Sequence, residues 1–118
     1  MSSERIPPTI VVVEDNYIGQ FLRMLLQREG FQVITANASE GAGILRACES
    51  RVSLLITNTP TKFAEFGERV PLLYLAAFPD PALTRGFRCH RALSKPFAPE
   101  VLMECVRSLL AAPVPLPM

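Results

Sequence analysis

Short apolar runs alternate along the chain with segments of helical periodicity. The run at residues 9–13 is apolar without alternation, which is typical of a central strand of a parallel sheet that is buried on both faces. The run at residues 53–57 predicts another strand. The pattern predicts further strands at residues 31–36, 72–76 and 89–93. Five strands with intervening helical segments therefore indicate an α/β protein.

The helical segments have recognisable starts and stops. Apolar residues recur at helical spacing from Ile18 to Leu26, and Gly30 supplies the stop. Ser39 is the predicted N-cap of a second helix that reaches about Ser50. A short, proline-started helix is predicted over residues 79–86, and a longer one from about Pro99 onwards. Strands that alternate with helices predict a parallel, doubly wound sheet.

Ligands of such sheets bind beyond the carboxyl ends of the strands. The charged or polar residues just after predicted strands are Glu14 and Asp15 after the first, Asn58 after the third and Lys95 after the fifth. These four residues are therefore the first candidates for a functional site.

Three segments of the chain resemble the signature segments of response-regulator receiver domains: VVVEDN at 11–16, SLLITNTP at 53–60 and LSKPF at 93–97. The resemblance covers residues 9–111. It implies a CheY-like receiver domain, a three-layer flavodoxin-like sandwich around a five-stranded doubly wound parallel sheet. It also implies an acidic pair that helps to hold Mg²⁺, an aspartate that takes a phosphoryl group from a histidine kinase, and a hydroxyl and a lysine that bind the phosphoryl oxygens.

The sequence departs from this pattern at several of the positions that carry the chemistry. Asn58 stands where the phosphoryl-accepting aspartate belongs, and an amide is not a competent nucleophile toward phosphorus. Ala76 replaces the strand-4 hydroxyl, and Ala92 replaces the aromatic switch residue. These substitutions together indicate an atypical receiver, or pseudo-receiver.

The connection between the third and fourth strands, residues 59–70, is short for a parallel crossover. The helix that the resemblance places there, helix 3 of the family, is predicted to be truncated or absent, with Phe63 and Phe66 against the sheet. Its loss would expose apolar sheet surface, and a homodimer is one way to cover that surface.

The acidic pair allows two interpretations. Glu14 and Asp15 could bind Mg²⁺ weakly, because two carboxylates are few ligands for this cation. Alternatively, Lys95 neutralises both carboxylates in a shared pocket, which we favour. We expect Asn58 to hydrogen-bond within that pocket, and the resemblance implies a cis peptide bond between Lys95 and Pro96.

The favoured function is a non-enzymatic interaction module of two-component (phosphorelay) signalling that is not phosphorylated at the usual site and requires no cofactor. Its expected partner is a histidine kinase or another signalling protein, and Arg85, Arg88 and Arg91 form either a partner surface or an ordinary solvated face. One alternative is a phosphoryl-accepting regulator that uses Thr57 or Thr59. Another is a flavodoxin-like module that binds a small anion or a nucleotide.

Composition narrows these options. The 118 residues carry a net charge of +1, which argues against nucleic acid as a partner.

The sequence contains no apolar run of bilayer length and no signal peptide at its start, so we expect a cytoplasmic protein without a membrane partner. The prolines near both ends predict a flexible N-terminal tail at 1–8 and a Pro-rich C-terminal tail at 112–118. The folded, receiver-like domain between them, at 9–111, follows from the extent of the resemblance.

Overall fold

The computed structural model describes residues 7–111 and contains one parallel sheet of five strands. The strands are β1 (Thr9–Val13), β2 (Gln32–Thr35), β3 (Val52–Thr57), β4 (Leu72–Ala76) and β5 (His90–Ser94). Their order across the sheet is β2-β1-β3-β4-β5, with every neighbouring pair parallel. The predicted fold class is therefore confirmed. Strand β1, whose sequence is apolar without alternation, has a neighbour on each side.

Three α-helices lie among the described residues: α1 (Asn16–Arg28), α2 (Ala38–Cys48) and α3 (Pro99–Ala111). Gly30 ends the first helical segment with a positive φ of 93°, a conformation that glycine adopts without steric cost. The predicted N-cap of the second helix was wrong by two residues. Asn37 is the cap, because its side chain and that of Glu40 form a reciprocal capping box.

The sheet is covered on both faces. The side chains of α1 and α3 pack on one face, in a cluster that includes Ile10, Leu54 and Leu102. On the other face α2 packs together with two short connections, in a cluster that includes Val11, Leu55 and Phe63. The result is the three-layer arrangement that the sequence predicts.

The connection from β3 to β4, here called the β3–β4 crossover (residues 58–71), contains a 3₁₀ segment at Pro60–Phe66 in place of an α-helix. The predicted loss of helix 3 is confirmed. Phe63 and Phe66 are both buried against the sheet. Their rings cover the apolar sheet surface that a longer helix would otherwise cover. The expected exposure of apolar sheet was therefore wrong, and it gives no reason for a homodimer.

The connection from β4 to β5, the β4–β5 crossover (residues 77–89), is also reduced. The helix predicted over 79–86 is only a 3₁₀ segment, Pro81–Thr84, with proline at its start. The two crossovers meet backbone to backbone at Gly67 and Gly86, where an added Cβ on Gly67 would lie 1.8 Å from the Gly86 carbonyl oxygen. The Arg88 N–H also donates to the Gly67 carbonyl at 3.0 Å. A side chain at Gly67 would therefore clash with the backbone of the neighbouring crossover.

The two predicted tails lie outside the described residues, apart from Pro7 and Pro8 at the end of the N-terminal one. Within residues 7–111, no helix has both the length and the apolar character needed to cross a membrane.

Candidate functional site

The carboxyl edge of the sheet brings Glu14 and Lys95 together, although 81 positions separate them in the sequence. Glu14 directly follows β1 and Lys95 directly follows β5. The Lys95 Nζ donates to Glu14 Oε1 at 3.2 Å. The Glu14 side chain is 0% exposed and that of Lys95 is 21% exposed. The geometry matches the favoured interpretation of Lys95 as a bridge to an acidic residue.

The Glu14 carboxylate is only half satisfied. Its second oxygen, Oε2, is buried and has no hydrogen-bond partner. Burial raises the pKa of Glu14 above its ordinary value of 4.5, and the hydrogen bond and charge of Lys95, together with the backbone of Asp15, offset only part of this effect. The site therefore tolerates the Glu14 charge at a cost in stability.

Asp15 does not share the pocket of Glu14 and Lys95. It is exposed and is the N-cap of α1, where its Oδ1 accepts a hydrogen bond from the Ile18 N–H at 2.9 Å. The hypothesis of one cluster in which Lys95 neutralises both carboxylates was therefore wrong for Asp15. Helix capping competes successfully for this side chain, because the first N–H groups of a helix have no other partner.

Asn58 is exposed at the end of β3. Among the hydrogen bonds of the described residues, none involves its side chain. The expectation of a hydrogen bond within the pocket was wrong, because an exposed amide is solvated by water and needs no protein partner. The position that the resemblance assigns to phosphorylation therefore presents a solvated amide.

The flanking threonines bond to each other. Thr57 is fully buried, and its Oγ1 lies 3.2 Å from the hydroxyl of Thr59. The Thr59 N–H also donates to Thr57 Oγ1 at 3.1 Å. These bonds satisfy the buried hydroxyl of Thr57 and keep it away from solvent, where a phosphoryl donor would have to approach.

The two alanines at the predicted switch positions lie on neighbouring strands. Ala76 ends β4, and its carbonyl accepts a hydrogen bond from the Lys95 N–H at 2.9 Å. Ala92 lies at the middle of β5 and is exposed. The peptide bond between Lys95 and Pro96 is cis, as the resemblance implies.

The residues at this edge do not fit a divalent cation. Within the described part of the chain, no three His, Cys, Asp or Glu side chains come together as a metal site. Glu14 faces the ammonium of Lys95, Asp15 caps a helix, and Asn58 contributes only a neutral amide. Mg²⁺ prefers carboxylate oxygens in octahedral geometry, so the donor set is too poor and the neighbouring cation opposes binding.

The three arginines of the predicted partner surface are all exposed along the path into β5. Arg88 forms an ion pair with Glu68 at 3.3 Å, whereas Arg85 and Arg91 form none within residues 7–111.

Two other exposed side chains, Tyr17 and Phe78, were not predicted from the sequence, and each is 91% exposed. They follow β1 and β4 closely and so lie toward the carboxyl edge of the sheet. A run of aromatic and aliphatic residues gives no signal that distinguishes them from core positions.

Comparison with known proteins agrees on the fold. The sequence matches no known family model and no curated protein. The structure matches 76 chains of solved structures. The fold is that of a receiver domain.

Three of these receiver structures illustrate the likeness. The signal receiver domain of an HD domain-containing protein from Pseudomonas fluorescens Pf-5 has a TM-score of 0.79 and 24% identity, over 93% of this chain and 91% of that one. A response regulator receiver protein from Burkholderia phymatum has a TM-score of 0.68 and 26% identity, over 92% and 99% of the two chains. Chemotaxis protein CheY4 of Vibrio cholerae has a TM-score of 0.74 and 21% identity, over 88% and 99%.

Proposed function

We propose that this receiver-fold chain is a protein-interaction module of two-component signalling that has lost the usual phosphorylation step. The observation that supports the proposal most directly is Asn58, an exposed amide at the end of β3. Phosphoryl transfer to this position requires a carboxylate nucleophile, and an amide does not form a stable acyl phosphate. Solvent access alone therefore does not make the position reactive.

The two carboxylates of the site already have partners within the protein. Glu14 is buried and bonded to Lys95, and Asp15 caps α1. The lysine that the resemblance assigns to phosphoryl oxygens is thus already paired with an internal anion. The proposed module therefore needs neither Mg²⁺ nor a phosphoryl group to balance its charges.

The loss of both switch side chains supports a single conformation. A ligand shifts an equilibrium only when it interacts differently with the two states. Ala76 has no hydroxyl to bond a phosphoryl group, and Ala92 has no ring to move in response. The module would then signal through partner binding, with a histidine kinase or another signalling protein as the partner. The exposed rings of Tyr17 and Phe78 support protein contact, since aromatic residues are enriched in protein interfaces.

The test is to incubate the full chain with Mg²⁺ and acetyl phosphate and to measure its intact mass. We expect the mass to stay unchanged. The matched variant Asn58→Asp is treated in parallel, and an ordinary receiver domain verifies that the reagent is active. A phosphoryl group on the wild-type chain would overturn the proposal, and peptide mapping would then name the acceptor, with Thr57 and Thr59 examined first.

A further inference from the structure

The outermost strand on one side of the sheet has an open edge. β5 pairs with β4 alone, in continuous register from His90 to Ser94. The Cys89 carbonyl accepts from the Leu72 N–H at 3.0 Å, and the Lys95 N–H donates to the Ala76 carbonyl at 2.9 Å. Backbone groups alternate in direction along a strand, so the N–H and C=O groups of residues 90, 92 and 94 point away from the sheet.

The reduced β4–β5 crossover leaves this strand uncovered. A four-residue 3₁₀ segment, Pro81–Thr84, is the only helical turn in the crossover. Four of the five residues of β5 are exposed, and Leu93 is the exception. The strand contains no proline and no bulge, two of the features by which proteins block pairing at an edge.

The charge at this edge is positive. Arg85, on the crossover, and Arg91, on β5, are exposed and form no ion pair within residues 7–111. Arg88 shares its charge with Glu68, and Asp80 uses its carboxylate to cap the 3₁₀ segment. A basic edge repels strands that carry positive charge and attracts strands that carry negative charge.

We propose that the open edge of β5 binds an extended acidic segment of a partner protein, which adds to the sheet as a sixth strand. This inference rests on the proposed function and names the surface and the chemistry of its partner. Main-chain hydrogen bonds to residues 90, 92 and 94 supply affinity, and the two arginines select for acidic side chains. A second copy of this chain is the less favourable occupant, since pairing two β5 strands would bring two sets of these arginines together.

The first experiment titrates the full ¹⁵N-labelled chain with two synthetic peptides, one of alternating valine and glutamate and one of alternating valine and lysine. We expect the glutamate peptide to shift the amide resonances of His90, Ala92 and Ser94, and to bind at least about tenfold more tightly than the lysine peptide. Added salt should weaken binding because the charges are exposed. Equal binding of the two peptides, or no shift with either, would overturn the proposal.

Variants of Ala92 test the strand geometry. Ala92→Pro removes an outward N–H while leaving the hydrogen bonds to β4 intact, whereas Ala92→Ser keeps that N–H. We expect the proline variant to bind the glutamate peptide about tenfold more weakly, the loss that one hydrogen bond predicts, and the serine variant to bind like wild type. If the proline variant fails to fold, glutamate peptides N-methylated at alternate residues replace it. They lack the N–H groups that would donate to β5, so they should also bind more weakly than the unmethylated peptide.

The outcomes separate this inference from the proposed function. If neither Ala92→Pro nor N-methylation of the peptide weakens binding, strand addition is refuted. The proposed function would still stand in that case, provided that the wild-type chain stays unphosphorylated. A dimer in sedimentation that Ala92→Pro abolishes would replace the acidic partner with a second copy. Phosphorylation of the wild type would overturn the proposed function, whatever the peptides do.

Discussion

The contact between Gly67 and Gly86 makes a sharp prediction about how the two reduced crossovers are held. In Gly67→Ala the new Cβ would lie 1.8 Å from the Gly86 carbonyl oxygen and 2.6 Å from its carbonyl carbon. Carbon and oxygen atoms normally stay about 3.3 Å apart or more, so the crossovers must separate by roughly 1.5 Å. Both neighbours are backbone atoms and cannot turn aside as a side chain would.

The energetic cost follows from three contributions. Overpacking costs about 1–3 kcal/mol, and loss of the 3.0 Å bond from the Arg88 N–H to the Gly67 carbonyl costs about 1 kcal/mol. Gly67 has a φ of −66°, which alanine adopts readily, so the substitution also recovers about 0.4–1 kcal/mol by restricting the unfolded chain. We therefore expect a net loss of about 2 kcal/mol in the free energy of unfolding.

Urea denaturation followed by circular dichroism measures this loss, and Gly43→Ala is the matched control. Gly43 lies inside α2, and nothing stands within 4 Å of its added Cβ. The same substitution should there stabilise the protein by about 0.5–1 kcal/mol. Opposite signs for the two variants would support the argument. A Gly67→Ala protein as stable as wild type would refute the close packing of the crossovers.

Three further predictions concern the site and its surroundings. Because burial raises the folded-state pKa of Glu14 above 4.5, the folded state binds that proton more tightly than the unfolded state does. The stability of wild type relative to Glu14→Gln should therefore fall as the pH rises from 4.5 through the raised pKa, measured by urea denaturation at several pH values; an increasing advantage would contradict this. Lys95→Met should cost about 2–4 kcal/mol at neutral pH by leaving the buried Glu14 without its counter-charge, and the double variant with Glu14→Gln should recover most of that loss in the same assay. Phe78→Ser should change stability by less than about 0.5 kcal/mol because the ring is exposed, whereas Phe63→Ser should reduce it by several times as much; thermal unfolding of both variants checks the contrast.

The sheet could be predicted because apolar residues without alternation indicate strands that are buried on both faces. Val11, Val12 and Leu55 belong to unalternating apolar runs, and all are fully buried between two layers. Parallel topology then brings the residues after these strands to one edge of the sheet. The bond between Glu14 and Lys95 follows from that topology and from opposite charge, which is why it could be anticipated from the sequence.

The sequence alone could not decide which hydrogen-bond partner a polar side chain takes when two are within reach. The position of Asp15 next to Glu14 predicts a place in the pocket, yet Asp15 also precedes α1 and is a residue type that favours N-cap positions. Asn37 and Ser39 are likewise both good caps, and only the capping box with Glu40 decides between them. These choices depend on backbone geometry at the level of a single residue.

The contact at Gly67 and Gly86 had no signal in the sequence at all. Both residues read as ordinary turn glycines, and their close approach arises only because two crossovers are short at once. The first shortening follows from the length of the connection between β3 and β4. The second does not, because residues 79–86 contain enough chain for a helix but form only a single 3₁₀ turn.

The reduced crossovers and the substituted site are parts of one argument about function. The resemblance implies that a phosphorylated receiver transmits a change of charge through an aromatic residue on β5 and a hydroxyl on β4. This chain has Ala92 and Ala76 at those positions, and little more than a 3₁₀ turn beside β5. In the proposed function, the substitutions that would remove a switch accompany a strand with an accessible, positively charged edge. A surface that is always exposed suits a module whose output is set by which partner is present rather than by its own chemical state.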